Sequence, residues 1–193
     1  MEKGKIVSGC KVVIIGGSAG SLEVLLKIIP KINSASFAIV IIMHRQSTED
    51  TMLEDLFAMK SILPVKEVED KTILEPGCIY IAPSDYHLLF ENNSTLSLDR
   101  SEKVNYSRPS IDVSFESAAD VYGQHLVGVL LSGANSDGTA GLKAIKNAGG
   151  ITVVQKPETA EMEFMPHNAI INVPVNYILD VENLFRFICV INS

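Results

Sequence analysis

Gly16-Gly17-Ser18-Ala19-Gly20 has the form G-x-S-x-G, and its neighbours decide whether the serine can act as a nucleophile. Lys11 to Ile15, which reads as a strand, precedes it. Leu22, Leu25, Leu26 and Ile29 follow at i, i+3, i+4 and i+7, so the motif falls between a strand and a helix that stops near Pro30. A tight strand-to-helix turn exposes a hydroxyl at the sheet edge. Its glycines permit the strained backbone, and the unpaired N–H groups of the helix start can stabilise an oxyanion there. The same five residues also read as a glycine turn that binds phosphate or only reverses the chain. The dinucleotide pattern G-x-G-x-x-G is not met, because Ser18 stands where its second glycine is required.

A serine needs a base to lose its proton, and the base needs a carboxylate to fix its tautomer and stabilise the imidazolium. His44 ends a second apolar run, Phe37 to Met43. Asp137 follows a third, Leu126 to Leu131, and directly precedes a helical segment. All three candidates therefore lie at carboxyl ends of strands, the edge at which open α/β sheets bind ligands. Taken singly, His44 reads equally well as a structural histidine and Asp137 as a helix N-cap. Their coincidence at one edge favours catalysis.

The elements that must position these residues alternate between buried strands and helical segments, which predicts an α/β fold. The expected architecture is a three-layer, doubly wound, mostly parallel sheet with helices on both faces and a small antiparallel hairpin insertion. Ser47-Thr48-Glu49-Asp50 suits a helix start, with the helix running to about Met59. Short runs follow at Val65 to Val68, Cys78 to Ala82, His87 to Phe90 and Thr95 to Leu98. Tyr86 to Asp99 reads as a hairpin turning at Asn92-Asn93. Ser110 is placed to cap a helix carrying Ile111, Phe115, Ala118 and Tyr122 on one face. A helix over Gly138 to Ala148, a strand over Ile151 to Val154 and a helix from Asp180 through Phe187 complete the reading.

Composition excludes several classes. The 193 residues suffice for one domain of ordinary size, and 47% hydrophobic against 20% charged gives ample material for a core. The longest purely apolar stretch, Phe37 to Met43, falls far short of the ~18 residues of a membrane span. A net charge of −7 disfavours nucleic acid. Cys10, Cys78 and Cys189 are widely spaced, without a CxxC pair, which argues against a disulfide framework or a zinc site and suits a reducing compartment. His87, His125 and His167 lack metal-ligand spacing and read as surface or hydrogen-bonded structural residues. Arg108, before Pro109, stands where it can clamp a carboxylate. No metal and no cofactor is called for.

Read together, Gly16 to Glu23, His44, Tyr80-Ile81-Ala82-Pro83-Ser84-Asp85-Tyr86-His87, Asn105 to Asp112, Leu131-Ser132-Gly133-Ala134-Asn135-Ser136-Asp137-Gly138 and Met165-Pro166 form an ordered series. The series resembles the landmarks of the CheB-type protein-glutamate methylesterase catalytic domain, from Val12 to the last helix. The resemblance implies a cytoplasmic serine hydrolase that removes methyl esters from glutamates on the cytoplasmic helices of methyl-accepting chemotaxis receptors, often also deamidating glutamines. It carries the triad onto Ser18, His44 and Asp137. It adds the backbone N–H groups of Ala19 and Ala134 as oxyanion donors, with Arg108 and Met165 as substrate-binding candidates. The chain order Ser, His, Asp differs from the Ser, Asp, His of α/β-hydrolases, so the G-x-S-x-G elbow is convergent.

Four residues depart from the family pattern around the site. Ala19 stands where many members have Thr, Ser21 where a second Gly is usual, Ala134 where Met is frequent, and Phe164 where a Gly is common. Typical members also begin with a receiver domain of ~120 residues. Here the first catalytic strand starts near Lys11, so the expectation is a single methylesterase domain over 1–193 with any regulator supplied in trans. The competing readings are a non-catalytic module that binds receptor helices or an anion at the Gly16 to Gly20 turn, and a hydrolase of an unrelated small ester or amide.

Overall fold

The computed structural model describes residues 9–45 and 50–191. Seven strands, β1 (Val12–Gly17), β2 (Ala38–Met43), β3 (Val65–Glu67), β5 (Ile79–Ile81), β8 (Leu126–Leu130), β9 (Ile151–Gln155) and β10 (Tyr177–Leu179), form one sheet in the order β10-β9-β8-β1-β2-β5-β3. Every neighbouring pair in it is parallel. From β1 the chain moves out to β2, on to the edge strand β3 and back in to β5, then crosses to β8 on the other side of β1. The direction of winding therefore reverses between β1 and β8, which opens a crevice at their carboxyl ends.

Alternation along β1 sorts the core onto two faces. Val12 and Ile14 join α3 (Ile111–Tyr122), α4 (Thr139–Asn147) and α5 (Phe164–Asn172), together with a small sheet. Val13 and Ile15 face α1 (Ser21–Ile28), α2 (Asp50–Lys60) and α6 (Val181–Val190). Both faces of the sheet are covered, which is why its strands read as continuous apolar runs. None of the helices is long and apolar enough to cross a membrane, among the described residues.

The expected hairpin is present as β6 (His87–Phe90) and β7 (Thr95–Asp99), antiparallel, but β4 (Thr72–Ile73) pairs with β7 and makes it a three-stranded sheet. Two residues are too short a run to show alternation. α1 buries Ser21, Val24, Leu25 and Ile28, one position off the stripe expected from its leucines. The offset arises because the tight turn places Ser21 inside the first turn of the helix, leaving Leu22 and Leu26 half-buried. α1 ends at Ile28, close to Pro30 as expected, and Pro30 lies within a short 3₁₀ turn, Ile29–Lys31. α5 and β10 carry no clear apolar period and escape the sequence reading. The Ser47 to Glu49 helix start lies outside the described residues. Ser110 and Asp180 cap α3 and α6 as expected, and α6 runs past Phe187 to Val190.

Candidate active site

The Gly16–Gly20 turn that carries Ser18 is held from both sides. Ser18 N–H donates to Ser132 O at 2.9 Å, while Ser21 returns its N–H to Ser18 O at 3.1 Å and its hydroxyl to the same oxygen. Gly20 closes the turn with φ 82°, in the left-handed region, and a Cβ there would lie 2.5 Å from Glu161 Cβ. Buried Ser132 ties the neighbouring loops to it. Its hydroxyl donates to Ala19 O at 2.6 Å and accepts the Met162 N–H at 2.9 Å.

His44 follows β2, where Met43 is paired with Gly17, and its N–H donates to Gly17 O at 3.2 Å. Ser18 and His44 are thus neighbours across adjacent strands. The imidazole Nε2 lies 2.7 Å from Asp137 Oδ2, with the His44 side chain 12% exposed and the Asp137 side chain fully buried. Among the described residues, His44 Nδ1 and the half-buried Ser18 hydroxyl have no hydrogen-bond partner. No Ser18–His44 hydrogen bond is formed in this structure; catalytic bonds of this kind often tighten only in the complex with substrate.

Asp137 is held by the start of a helix that is not its own. Its Oδ1 accepts the Ser110 hydroxyl at 3.0 Å, the Asp112 N–H at 2.9 Å and the Gly138 N–H at 3.1 Å. Its Oδ2 accepts the Ile111 N–H at 2.8 Å beside the His44 ring. Gly138, not Asp137, is the N-cap of α4. The carboxylate instead sits on the N-terminus of α3, where free N–H groups and the helix dipole favour an anion. Burial pushes its pKa up, but the bonds from His44, Asp112 and Ile111 outweigh burial and leave it lowered. Gly16 makes this docking possible, since a Cβ there would meet Ile111 Cγ2 at 2.5 Å.

Asp112, the second residue of α3, is a second buried carboxyl beside the first. Its pKa is raised from 3.8 to about 6, mainly by burial and further by the Asp137 charge, against the lowering effect of the Gly141 N–H.

The remaining candidates divide. Ala19 and Ala134 are both exposed at the strand-end loops, and their N–H groups have no acceptor among the described residues. Met165 is fully buried. Its N–H donates to Gly133 O at 2.9 Å and its thioether lies against Gly133, so it supports the β8–α4 loop from within. Arg108 spends Nη1 on the carbonyls of Arg100 at 3.1 Å and Ser101 at 2.7 Å and approaches Asp85 at 3.8 Å, which ties down its own loop. Ser110 and Ser132 went unrecognised as site residues, because nothing local in sequence says that one reaches Asp137 and the other Ala19. Beside His44 opens a mainly apolar groove of about 600 Å³, lined among others by Leu22, Met43, Leu53, Leu56 and Met59.

The CheB methylesterase family model matches residues 13–188. A relative from Leptospira interrogans, named putative protein-glutamate methylesterase/protein-glutamine glutaminase, is 44% identical over 177 residues, covering 89% of this chain and 90% of that protein. The Thermotoga maritima protein-glutamate methylesterase/protein-glutamine glutaminase is 36% identical, and there the match covers 90% of this chain but 51% of the relative. The crystal structure of the Thermotoga maritima CheB methylesterase catalytic domain superposes with a TM-score of 0.88 at 32% identity, covering 93% of this chain and 97% of that one. Two independent lines, a shared sequence pattern across almost the whole chain and a shared backbone, agree: the chain belongs to the CheB methylesterase family.

Proposed function

We propose that this protein is a serine esterase acting on methyl esters of protein glutamate side chains, with Ser18 as nucleophile, His44 as base and Asp137 as orienting acid. The observation that carries the reading is the 2.7 Å bond between His44 Nε2 and a buried, ionised Asp137, which leaves Nδ1 as the nitrogen that takes a proton. Ser18 Oγ attacks the ester carbonyl carbon as His44 Nδ1 removes its proton. The carbonyl oxygen becomes an oxyanion, stabilised by the N–H groups of Ala19 and Ala134. Collapse breaks the bond to methoxide, which takes the proton from His44 and leaves as methanol. Water, deprotonated by His44, then attacks the acyl carbon, and collapse releases glutamate as the Ser18 oxygen takes that proton back from His44.

A side-chain amide of glutamine fits the same steps with ammonia as the leaving group, which supports glutaminase activity on the same residues. The substrate class follows from the family, and the cytoplasmic helices of methyl-accepting chemotaxis receptors are the proposed carriers of the ester. The open apolar groove beside His44 is of the kind into which an amphipathic helix lays its apolar face, which supports a receptor helix as the carrier. The test is methanol release from methylated receptor. The parent should release methanol, and Ser18→Ala should lower turnover by roughly 10⁴–10⁶ with the fold intact. Activity of Ser18→Ala within tenfold of the parent would rule out the triad.

A further inference from the structure

A second histidine lies behind the triad, and the proposed mechanism does not use it. His87, at the start of β6, is 1% exposed. Ser110 donates its backbone N–H to His87 Nδ1 at 3.1 Å. Since an N–H can only donate, Nδ1 is the acceptor, and the ring proton sits on Nε2, which faces Glu102 O at 3.0 Å. Both ring nitrogens are satisfied and the tautomer is fixed.

The partner matters more than the burial. Ser110 is the N-cap of α3, and its hydroxyl donates to Asp137 Oδ1 at 3.0 Å. The next two N–H groups, of Ile111 and Asp112, also go to Asp137. One acceptor therefore fixes where the first residue of this series stands, and the following three donors aim at the carboxylate that orients His44. The series runs from the Glu102 carbonyl through His87, Ser110 and Asp137 to His44, crossing from the small sheet to the main one.

We propose that His87 is a positioning residue for the triad: by accepting the Ser110 N–H it holds the α3 start in the register that delivers its donors to Asp137. The proposal rests on the functional reading above for its kinetic consequence. An outer partner of this kind sets the orientation of the groups it supports, and losing one at metal sites costs about 10–100-fold. The same range is expected here in kcat, with KM little changed, because His87 touches no substrate.

Two substitutions separate this role from mere packing. His87→Asn places an amide oxygen where Nδ1 stands, keeping an acceptor for Ser110, and gives up the bond to Glu102. His87→Gln places an amide nitrogen near Nε2, keeping the bond to Glu102, and gives up the acceptor. Both should be compared with the parent full chain by thermal melting, by kcat and KM for methanol release from a methyl-esterified glutamyl peptide, and by the low-field proton resonance of the His44–Asp137 bond.

His87→Gln should lose about 10–100-fold in kcat and shift or broaden the resonance. His87→Asn should recover most of the turnover and keep the resonance even if it melts lower, since the smaller side chain leaves a cavity. Turnover that follows melting temperature in both variants, or a Gln variant with the parent's kcat and resonance, overturns the proposal. If the parent itself releases no methanol, the functional reading fails instead, and the resonance alone then decides: unchanged in His87→Gln, it overturns the positioning role.

Discussion

Ile111 N–H and the His44 ring meet on one atom: Asp137 Oδ2 accepts the former at 2.8 Å and lies 2.7 Å from the latter. The acid of the proposed triad is thus a ligand of a helix N-terminus as well as a partner of the base. Asp137 needs no counter-cation to remain ionised while buried, because oriented N–H groups supply the compensating charge. Any change that displaces the start of α3 must also act on His44.

Gly16→Ala tests that coupling from below. The added methyl would stand 2.5 Å from Ile111 Cγ2 and 3.0 Å from Phe115 Cζ, so these side chains, or α3 with them, have to shift. Overpacking of this kind costs about 1–3 kcal/mol. Melting should fall accordingly, and kcat should fall with it at temperatures where the variant is still folded. Parent-like turnover in a folded Gly16→Ala variant would mean that the triad tolerates movement of α3.

Asp137→Asn should fail twice. An amide presents one acceptor oxygen to donors that now converge on two, leaving Ser110, Asp112 and Gly138 or Ile111 and His44 poorly served. Turnover should drop on the order of 10⁴, as when a triad histidine loses its tautomer. Stability should drop by about 2 kcal/mol, the scale of hydrogen bonds to a charged group. A stability loss with only mild loss of turnover would make Asp137 a cap and nothing more.

Ser132→Ala removes the hydroxyl that links Ala19 O and Met162 N–H across the turn that carries Ser18. Two part-buried hydrogen bonds are lost, at about 0.5–1.5 kcal/mol each. For a chain of this size each kcal/mol lowers the melting temperature by about 2–4 °C. The turn also loses a brace, so turnover should fall further than melting alone explains. An unchanged melting curve would show that the hydroxyl is dispensable to the turn.

The two neighbouring carboxyls pull stability in opposite directions with pH. Asp112 has its pKa raised from 3.8 to about 6, so its contribution is fully present below 3.8 and is lost as pH rises through about 6. Asp137 is lowered, so its contribution is present above the ordinary carboxylate pKa and is lost as pH falls through its own. Asp112→Asn removes only the first. Relative to the parent, this variant should gain stability between about pH 4 and about pH 6 and hold that gain above. Denaturant midpoints measured across that window check the sign, and parallel curves for parent and variant would contradict it.

How much of this was legible depended on whether a signal was local. β1, β2 and β8 are legible as apolar runs, and the residues following them place Ser18, His44 and Asp137 at one edge. The N-cap roles of Ser110 and Asp180 were also local and readable. The second role of Ser110 was not, because the partner Asp137 lies 27 positions away in the chain. Asp137 looked like a cap for α4, which follows it, yet the helix that it serves is α3, which precedes it. β10 lies at a sheet edge with little buried surface, and α5 buries only Met165, Pro166 and Ala169, so neither produced a period. His87 gave no spacing signal at all, since its partners, Glu102 and Ser110, are set by the turn of the small sheet against α3.

The most direct test of the account is to treat the parent, Ser18→Ala and His44→Ala with a serine-directed fluorophosphonate and to locate the adduct by peptide mass spectrometry. The account predicts one stoichiometric adduct on Ser18 in the parent, none at that peptide in Ser18→Ala, and labelling slowed by orders of magnitude in His44→Ala. A parent that stays unlabelled, or one labelled equally fast without His44, would contradict the claim that Ser18 is a nucleophile activated by this histidine.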